Sequence, residues 1–171
     1  MGESMMEERM QEALNNQIKE ELYSSYLYLS MSAWFESIAL KGFANWMSVQ
    51  AKEELGHAMK IYNYILTRGG KVMLQAIEEP PHEWQSPLHA FEETLKHEKH
   101  ITECINKLVE LAEEKKDRAT LNMLQWFINE QVEEEANDEE IIAKLKMIEG
   151  SNGIFMLDRE LAQRKYVKEV E

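Results

Sequence analysis

Lys52-Glu53-Glu54-Leu55-Gly56-His57 is the stretch on which the interpretation of this sequence depends. It contains Glu54 and His57 at positions i and i+3, which lie on one face of an α-helix. A carboxylate and an imidazole that point the same way can chelate a divalent transition metal. Glu and His also meet at this spacing by chance, so the pair alone is better explained as a solvated helix face.

A second polar set repeats the first at a constant offset. Adding 77 to the residue numbers carries Glu21 to Glu98, Glu53 to Glu130, Glu54 to Gln131 and His57 to Glu134. A duplicated helical hairpin would produce this offset, with one metal half-site in each hairpin. Four-helix di-metal proteins take one Glu from each of two helices and a Glu-x-x-His from each of the other two. Because the second Glu-x-x-His is replaced by Gln131-x-x-Glu134, we expect an asymmetric centre.

The composition restricts the class of protein. With 171 residues the chain has the size of one domain, and seven Gly and three Pro favour long helices. A net charge of −13 argues against binding to nucleic acid, whose phosphates require a basic surface. The single Cys104 permits no internal disulfide, the chain has no apolar run long enough for a membrane span, and the acidic N-terminus does not look like a signal peptide. We therefore expect a cytoplasmic protein.

The apolar spacing predicts an all-α four-helix bundle with a short fifth helix. The predicted helices cover about 4–38, 41–68, 87–115 and 117–148, with the fifth at about 154–164. A capping box at Ser4, the pair Gly69-Gly70 and the pair Ser86-Pro87 mark helix ends. The fifth helix has too few apolar residues to fold alone, so we expect it to dock on another surface, with a second subunit as one option.

Residues 71–86 form the one long connection, and Pro80-Pro81 excludes a helix there. Sixteen extended residues reach up to about 50 Å, whereas a helix of about 26 residues is about 39 Å long. The segment can therefore run the length of the bundle and place the third helix parallel to the second. Its apolar residues predict that it packs on a surface; they are Val72, Leu74, Ile77 and Trp84.

The candidate ligands share one depth in this bundle. Measured from turns near residues 40 and 116, they lie roughly 21–29 Å along the helices; they are Glu21, Glu54, His57, Glu98, Gln131 and Glu134. Carboxylates buried together repel each other unless they are protonated or bridged by cations. Four Glu and one His suit one or two ions of iron or manganese, with zinc as a plausible occupant.

Other polar residues permit two interpretations. Glu53, Glu130 and Glu133 form a second tier that is either another metal site or an acidic surface. Tyr28 follows Glu21 by two helical turns. It could hydrogen-bond a ligand or donate an electron, or it could simply belong to the core. The histidines outside the predicted site have no partner at its level, which favours surface or packing roles; they are His82, His89, His97 and His100.

The chain resembles the bacterial and archaeal non-haem ferritins over nearly its whole length. The segments that carry the resemblance are Glu21-Leu-Tyr-Ser-Ser-Tyr-Leu-Tyr28, Glu53-Glu-Leu-Gly-His57, Glu78-Glu-Pro-Pro81, His97-Glu98, Leu124-Gln-Trp-Phe127, Glu130-Gln-Val-Glu-Glu-Glu135 and Leu157-Asp-Arg-Glu-Leu161. The resemblance implies a ferritin-like bundle, a shell of 24 identical subunits, and storage of hydrated ferric oxide inside that shell. It also implies a di-iron ferroxidase centre that oxidises Fe²⁺ with O₂ or peroxide.

The same resemblance implies a role for each candidate residue. Glu21, Glu54 and His57 would hold the first iron, with Glu54 bridging to the second. Glu98 and Glu134 would hold the second iron, with Gln131 beside it. Glu53, Glu130 and Glu133 would form a third iron site, and Tyr28 matches the tyrosine next to the centre.

Three alternatives remain at this stage. Haem-binding bacterioferritins carry a methionine next to the bridging Glu, where this chain has Leu55, so no haem is expected. A di-iron oxidase of low oligomeric state would keep the centre but lack the storage shell. A helical bundle that only binds a partner would have no chemistry at the centre.

Overall fold

A computed structural model of the protein describes residues 6–148 and 150–168. Within these residues the secondary structure consists of five α-helices without any strand, which confirms the all-α fold. The helices are α1 (Glu8–Ser37), α2 (Lys41–Thr67), α3 (Pro87–Glu114), α4 (Arg118–Met147) and α5 (Gly150–Leu161). The first four form the bundle, and α5 packs on α2.

Tight turns join the long helices into two antiparallel hairpins. Ala39 connects α1 to α2 with φ 62°, and Lys116 connects α3 to α4 with φ 55°. Asp117 then caps α4, because its carboxylate accepts the backbone N–H of Thr120 at 3.1 Å. Arg68, which follows α2, donates to the same carboxylate at 3.1 Å. The end of the first hairpin is thereby fixed against the start of α4.

The crossover between α2 and α3 lies along α1. Asn15 bonds to the backbone of Lys71 and Met73 at 3.0 and 2.7 Å, and Ser30 donates to the carbonyl of Pro81 at 2.6 Å. Fifteen helical residues between these two contacts correspond to about 22 Å of helix. The segment therefore follows α1 for much of its length, as the long crossover requires.

Only part of the crossover packs as the sequence predicts. Val72 and Trp84 pack against the hydrophobic core. Leu74 and Ile77 are 67% and 38% exposed, so the prediction that they pack is wrong for this chain taken alone. The physical reason is that the segment is held to α1 mainly through hydrogen bonds of its backbone, which leave these two side chains free to face outward.

Helix α1 begins later than the sequence predicts. Glu7 is its N-cap and accepts the N–H of Met10 at 2.9 Å, so the helix starts at Glu8 and not near residue 4. Ser4 lies outside the described residues.

Helix α5 is displaced from its predicted position at 154–164. Gly150 opens it with φ 75°, which permits a sharp turn after α4. A Cβ on Gly153 would lie 2.7 Å from Cγ2 of Ile148, so this glycine permits a close approach inside the helix and does not break it. Gly150 and Gly153 predict a break before α5, but in the structure both belong to the first turn of that helix.

Helix α5 docks on its own bundle. Leu157 and Leu161 are buried in the core. Asp158 accepts the N–H groups of Gly42 and Phe43 at 2.8 and 3.0 Å and thereby caps the N-terminus of α2. A Cβ on Gly42 would lie 1.6 Å from the carbonyl oxygen of Asp158, so this contact requires glycine.

The bundle interior contains two hydrophobic clusters. One includes Phe35, Phe43 and Phe91 near the α1–α2 turn, and the other includes Ile61 and Phe127 toward the opposite end. On every long helix, the buried carboxyl groups lie between the segments that form these two clusters, together with His57 and Gln131. The fold therefore isolates one polar layer inside the bundle.

Candidate metal centre

The polar layer is built from all four long helices. Its members are at most 4% exposed and are Glu21 from α1, Glu54 and His57 from α2, Glu98 from α3, and Gln131 and Glu134 from α4. These are the six side chains that the sequence assigns to one level. The structure brings all six together.

Three overlapping groups of ligand atoms lie in this layer, and within each group the atoms are within 4.8 Å of one another. The groups are Glu21–Glu54–His57, Glu54–Glu98–Glu134 and His57–Glu130–Glu134. Glu54 belongs to the first two groups, so one carboxylate faces two adjacent positions for a cation. This arrangement can hold two divalent ions side by side.

Two buried glutamines orient the carboxylates, and the sequence reasoning missed both. Gln50 donates to Glu54 at 2.9 Å and to Glu134 at 2.7 Å, which joins α2 to α4. Gln17 donates to Glu21 at 2.9 Å. Each glutamine precedes its Glu by four residues on the same helix face, and this repeated spacing could have identified the pair.

The carboxylate of Glu98 is held at both oxygens. The Tyr28 hydroxyl donates to Oε1, and the Gln131 amide donates to Oε2 at 3.1 Å. Gln131 also donates to the backbone oxygen of Glu98 at 3.1 Å. At the position where a symmetric centre would have a second carboxylate like that of Glu54, this chain therefore has an amide that orients a ligand.

Burial raises the pKa values of three carboxyl groups in the layer. It raises the pKa of Glu21 to about 8, with a further contribution from the nearby Glu54 charge. Burial and the Glu54 charge raise the pKa values of Glu98 and Glu134 well above the usual value, and the Glu134 charge adds to the shift of Glu98. Without a cation, these three groups therefore tend to keep their protons at neutral pH.

Glu54 and His57 form the charged pair of the layer. Burial alone would raise the pKa of Glu54, but the His57 charge and its hydrogen bond at 3.1 Å hold it below the usual value. Burial alone would lower the pKa of His57, but the Glu54 charge raises it well above the usual value. Oε2 of Glu21 is 3.9 Å from the same imidazole and accepts no hydrogen bond from the described residues. This orphaned oxygen is available to a cation.

The three residues predicted for a third site form no common ligand group among residues 6–148 and 150–168. Glu130 lies beside His57 and Glu134, at 3.9 Å from the imidazole. Glu53 pairs with Arg164 at 2.5 Å, and Glu133 is exposed. Since none of the ligand groups found among the described residues contains Glu53 or Glu133, the third site stays a prediction.

His97 has the packing role that the sequence favours, but it lies next to the layer, where no partner was expected for it. Its Nε2 is 2.7 Å from the Ser24 hydroxyl, and its ring centroid is 6.0 Å from that of Tyr28. Burial lowers the pKa of His97 to about 4, so the ring is neutral at physiological pH. Its place directly before Glu98 in the sequence was the available signal.

Asp138 is a further buried acid that the sequence reasoning did not assign. It follows Glu134 by one turn of α4 and is 4% exposed. Its Oδ2 has no hydrogen-bond partner within residues 6–148 and 150–168, and burial raises its pKa well above the usual value. Burial therefore favours the protonated form of this group, against the opposing effect of the Arg164 charge.

Comparisons with known proteins agree with this geometry. The family described as a ferritin-like domain matches residues 11–148. A bacterial non-haem ferritin of Bacteroides fragilis is 44% identical over 160 residues, which cover 94% of this chain and all of that protein. A bacterial non-haem ferritin of Staphylococcus aureus is 38% identical over 166 residues, which cover 96% and 100%.

Solved structures give the same result. A novel open pore ferritin from the hyperthermophilic archaeon Archaeoglobus fulgidus matches with a TM-score of 0.93 and 54% identity, over 94% of this chain and 99% of that one. An engineered closed form of the Archaeoglobus fulgidus ferritin matches with a TM-score of 0.94 and 53% identity, over 95% and 99%. In the described part of the present chain, no helix is long and apolar enough to cross a membrane.

Proposed function

Because this chain belongs to the non-haem ferritins, which bind and store iron, we propose that it oxidises Fe²⁺ at the four-helix carboxylate centre before storing the product. The observation that carries this proposal is the position of Glu54 in two adjacent ligand groups. Two ions on either side of one carboxylate can give up two electrons together. That number matches the reduction of dioxygen to hydrogen peroxide.

The first step is an exchange of protons for metal ions. Fe²⁺ enters as the substrate and displaces protons from Glu21, Glu98, Glu134 and His57, whose pKa values are raised in the metal-free centre. Glu54 is already ionised there and can receive the first ion. The cations then neutralise carboxylates that could not otherwise be charged together.

Oxidation follows from the charge of the ligands. Carboxylate oxygens stabilise Fe³⁺ more than Fe²⁺, so a ligand set of four Glu favours the loss of an electron from each ion. Two Fe²⁺ become two Fe³⁺, and dioxygen takes up the two electrons and two protons to leave as hydrogen peroxide. Peroxide can replace dioxygen as the oxidant, with water as its product. The Tyr28 hydroxyl donates to Glu98 and thereby fixes the orientation of that ligand.

The asymmetry of the centre favours release of the product. The second position has Glu98 and Glu134 as anionic ligands, together with the shared Glu54. Gln131 contributes an amide donor to Glu98, so it adds no charge there. The second position therefore keeps an open coordination site, and through it we expect the product to leave toward the storage cavity.

We further propose that the third iron site of Glu53, Glu130 and Glu133 forms only when Arg164 moves. The guanidinium of Arg164 lies 2.5 Å from Glu53 and stacks over the Trp46 ring at 4.1 Å. As long as this contact persists, Glu53 has a cationic partner in the place of iron. Movement of the segment after α5 would free the carboxylate.

For the assembly, we propose a shell of 24 subunits in the cytoplasm with hydrated ferric oxide inside. The support is the similarity to ferritins over almost the whole chain and a set of large exposed apolar side chains that subunit contacts would cover; these include Leu74, Met73, Phe155 and Met156. The relatives are non-haem ferritins, which disfavours a bacterioferritin.

Anaerobic titration with Fe²⁺, followed by oxygen, tests the proposed activity. The wild type should bind two Fe²⁺ per subunit at the centre and then show the ferric absorbance rapidly. Glu54→Ala should lose the rapid phase, because it removes the shared carboxylate. Glu36→Ala, which changes an exposed Glu at the end of α1, is the matched control and should behave as wild type. Equal rates in all three proteins would contradict a ferroxidase centre.

Native mass measurement tests the assembly separately. Twenty-four subunits of 20.1 kDa give a particle of about 480 kDa. A stable dimer near 40 kDa at every salt concentration would instead favour a di-iron oxidase that does not store iron.

A further inference from the structure

A second group of metal-ligating side chains lies outside the iron centre, on the face shared by α1 and α3. Its members are Glu20, His100 and Cys104, whose ligand atoms all lie within 4.8 Å of one another. Nε2 of His100 is 3.0 Å from Oε2 of Glu20 and 3.6 Å from Sγ of Cys104. We propose that these residues form a separate site for a borderline divalent cation such as Zn²⁺.

The spacing of the ligands suits a tetrahedral ion. His100 and Cys104 are four residues apart on α3 and so lie on one helix face, while Glu20 reaches them from α1. With metal–ligand bonds of about 2.0–2.3 Å, a tetrahedral ion has an N···O edge of about 3.4 Å and an N···S edge of about 3.6 Å. The observed N···S distance already equals that edge, and the N···O distance needs to open by about 0.4 Å.

The donor atoms select the class of metal. One sulfur, one imidazole nitrogen and one carboxylate oxygen suit Zn²⁺ and Co²⁺, whereas Mg²⁺ and Ca²⁺ prefer oxygen ligands alone. A thiolate and a carboxylate together carry two negative charges, which balance a divalent ion. Burial and the Glu20 charge raise the pKa of Cys104 to about 11, so binding would release the thiol proton.

A fourth ligand can come from the adjacent cavity. This cavity of about 240 Å³ is lined by Lys19, Glu20, Tyr23, Glu78, His97 and His100. It is open to solvent on the same face, so water can complete the coordination. The ring of His97, which packs 6.0 Å from that of His100, separates this site from Tyr28 and the iron centre.

Titration of the assembled protein with Co²⁺ tests the site, because a Co²⁺–thiolate bond gives a near-ultraviolet charge-transfer band. Ligands at the iron centre are oxygen and nitrogen atoms only, so Co²⁺ bound there does not produce this band. We expect one such band per subunit, lost on addition of an equal amount of Zn²⁺. The band should persist in Glu54→Ala, which disables the iron centre, and this separates the two sites.

Variants of the three ligands decide the outcome. Cys104→Ser should abolish the band, and His100→Ala and Glu20→Gln should each weaken Co²⁺ binding by about tenfold or more. Glu113→Gln, which changes an exposed Glu farther along α3, is the matched control and should leave the affinity unchanged. No band at saturation, or a band whose affinity is unchanged in both His100→Ala and Glu20→Gln, would overturn the proposal. Circular dichroism and native mass verify that each variant folds and assembles.

Discussion

Protonation of Glu21 should control how tightly the metal-free protein takes up divalent cations. Its pKa of about 8 means that the group is mostly neutral at pH 7. Ionising it there costs about 1.4 kcal/mol, and at pH 6 about 2.8 kcal/mol, since each pKa unit corresponds to about 1.4 kcal/mol. A cation that requires the ionised form should therefore bind about tenfold more weakly for each unit that the pH falls below 8.

The replacement Glu21→Gln isolates this contribution. A glutamine keeps the size of the side chain and can still contact Gln17, but it carries no proton to displace. Anaerobic Fe²⁺ titrations between about pH 6 and 7.5, with proton release followed in weakly buffered solution, give both the affinity and the proton count. The variant should bind more weakly, release about one proton fewer per subunit and show a flatter dependence on pH.

Glu98 and Glu134 also have raised pKa values, so the wild type should release more than one proton and the variant should still release some. Glu12→Gln, which changes an exposed Glu of the same helix, should release as many protons as wild type. If Glu21→Gln releases that same number, or if wild-type affinity does not change with pH, then Glu21 is not a protonated ligand of the centre.

Three further predictions follow from the fold and the centre. Tyr28→Phe removes the hydroxyl that donates to Glu98, so stopped-flow absorbance should show slower oxidation while anaerobic Fe²⁺ affinity is unchanged; an unaltered rate would contradict this role. Gly42→Ala would place a Cβ 1.6 Å from the Asp158 carbonyl oxygen and should lower the thermal midpoint. Gly56→Ala is the control and should not lower it, because no heavy atom of the described residues lies within 4 Å of its Cβ position. Equal midpoints for the two variants would refute the close contact at Gly42. The metal-free protein should lose stability as the pH rises from about 5 to 9. The reason is that Glu21, whose pKa in the folded protein is raised to about 8, stabilises the fold only while it is protonated. Thermal midpoints of the apoprotein that rise across this pH window would contradict the prediction.

The sequence predicts the bundle and the polar layer because both depend on simple periodicities. Glu21 and Glu98 lie at corresponding depths of their hairpins, and Glu54 reaches the same depth through the helical rise per residue. The resulting all-α fold is confirmed by the five helices and the structural relatives. Spacing along a helix is therefore enough to locate the layer.

Contacts between elements were beyond the reach of the sequence. No periodicity indicates that Asp158 caps α2 or that Arg164 forms an ion pair with Glu53. Each of these contacts joins residues more than 110 positions apart in the sequence. The boundary of α5 was wrong for a related reason. Gly153 lowers helix propensity locally, but its close packing against Ile148 decides the structure.

The origin of the ligands in two hairpins has a consequence for the durability of the protein. Glu21, Glu54 and His57 belong to the hairpin of α1 and α2, and Glu98 and Glu134 belong to that of α3 and α4. A bound ion would act as a cross-link between the two hairpins. If one hairpin slid past the other by a single helical turn, about 5.4 Å, ligands from both could no longer reach the same ion. Loaded subunits should then resist proteases and hydrogen exchange longer than empty ones, so the supply of cargo would set the lifetime of its container.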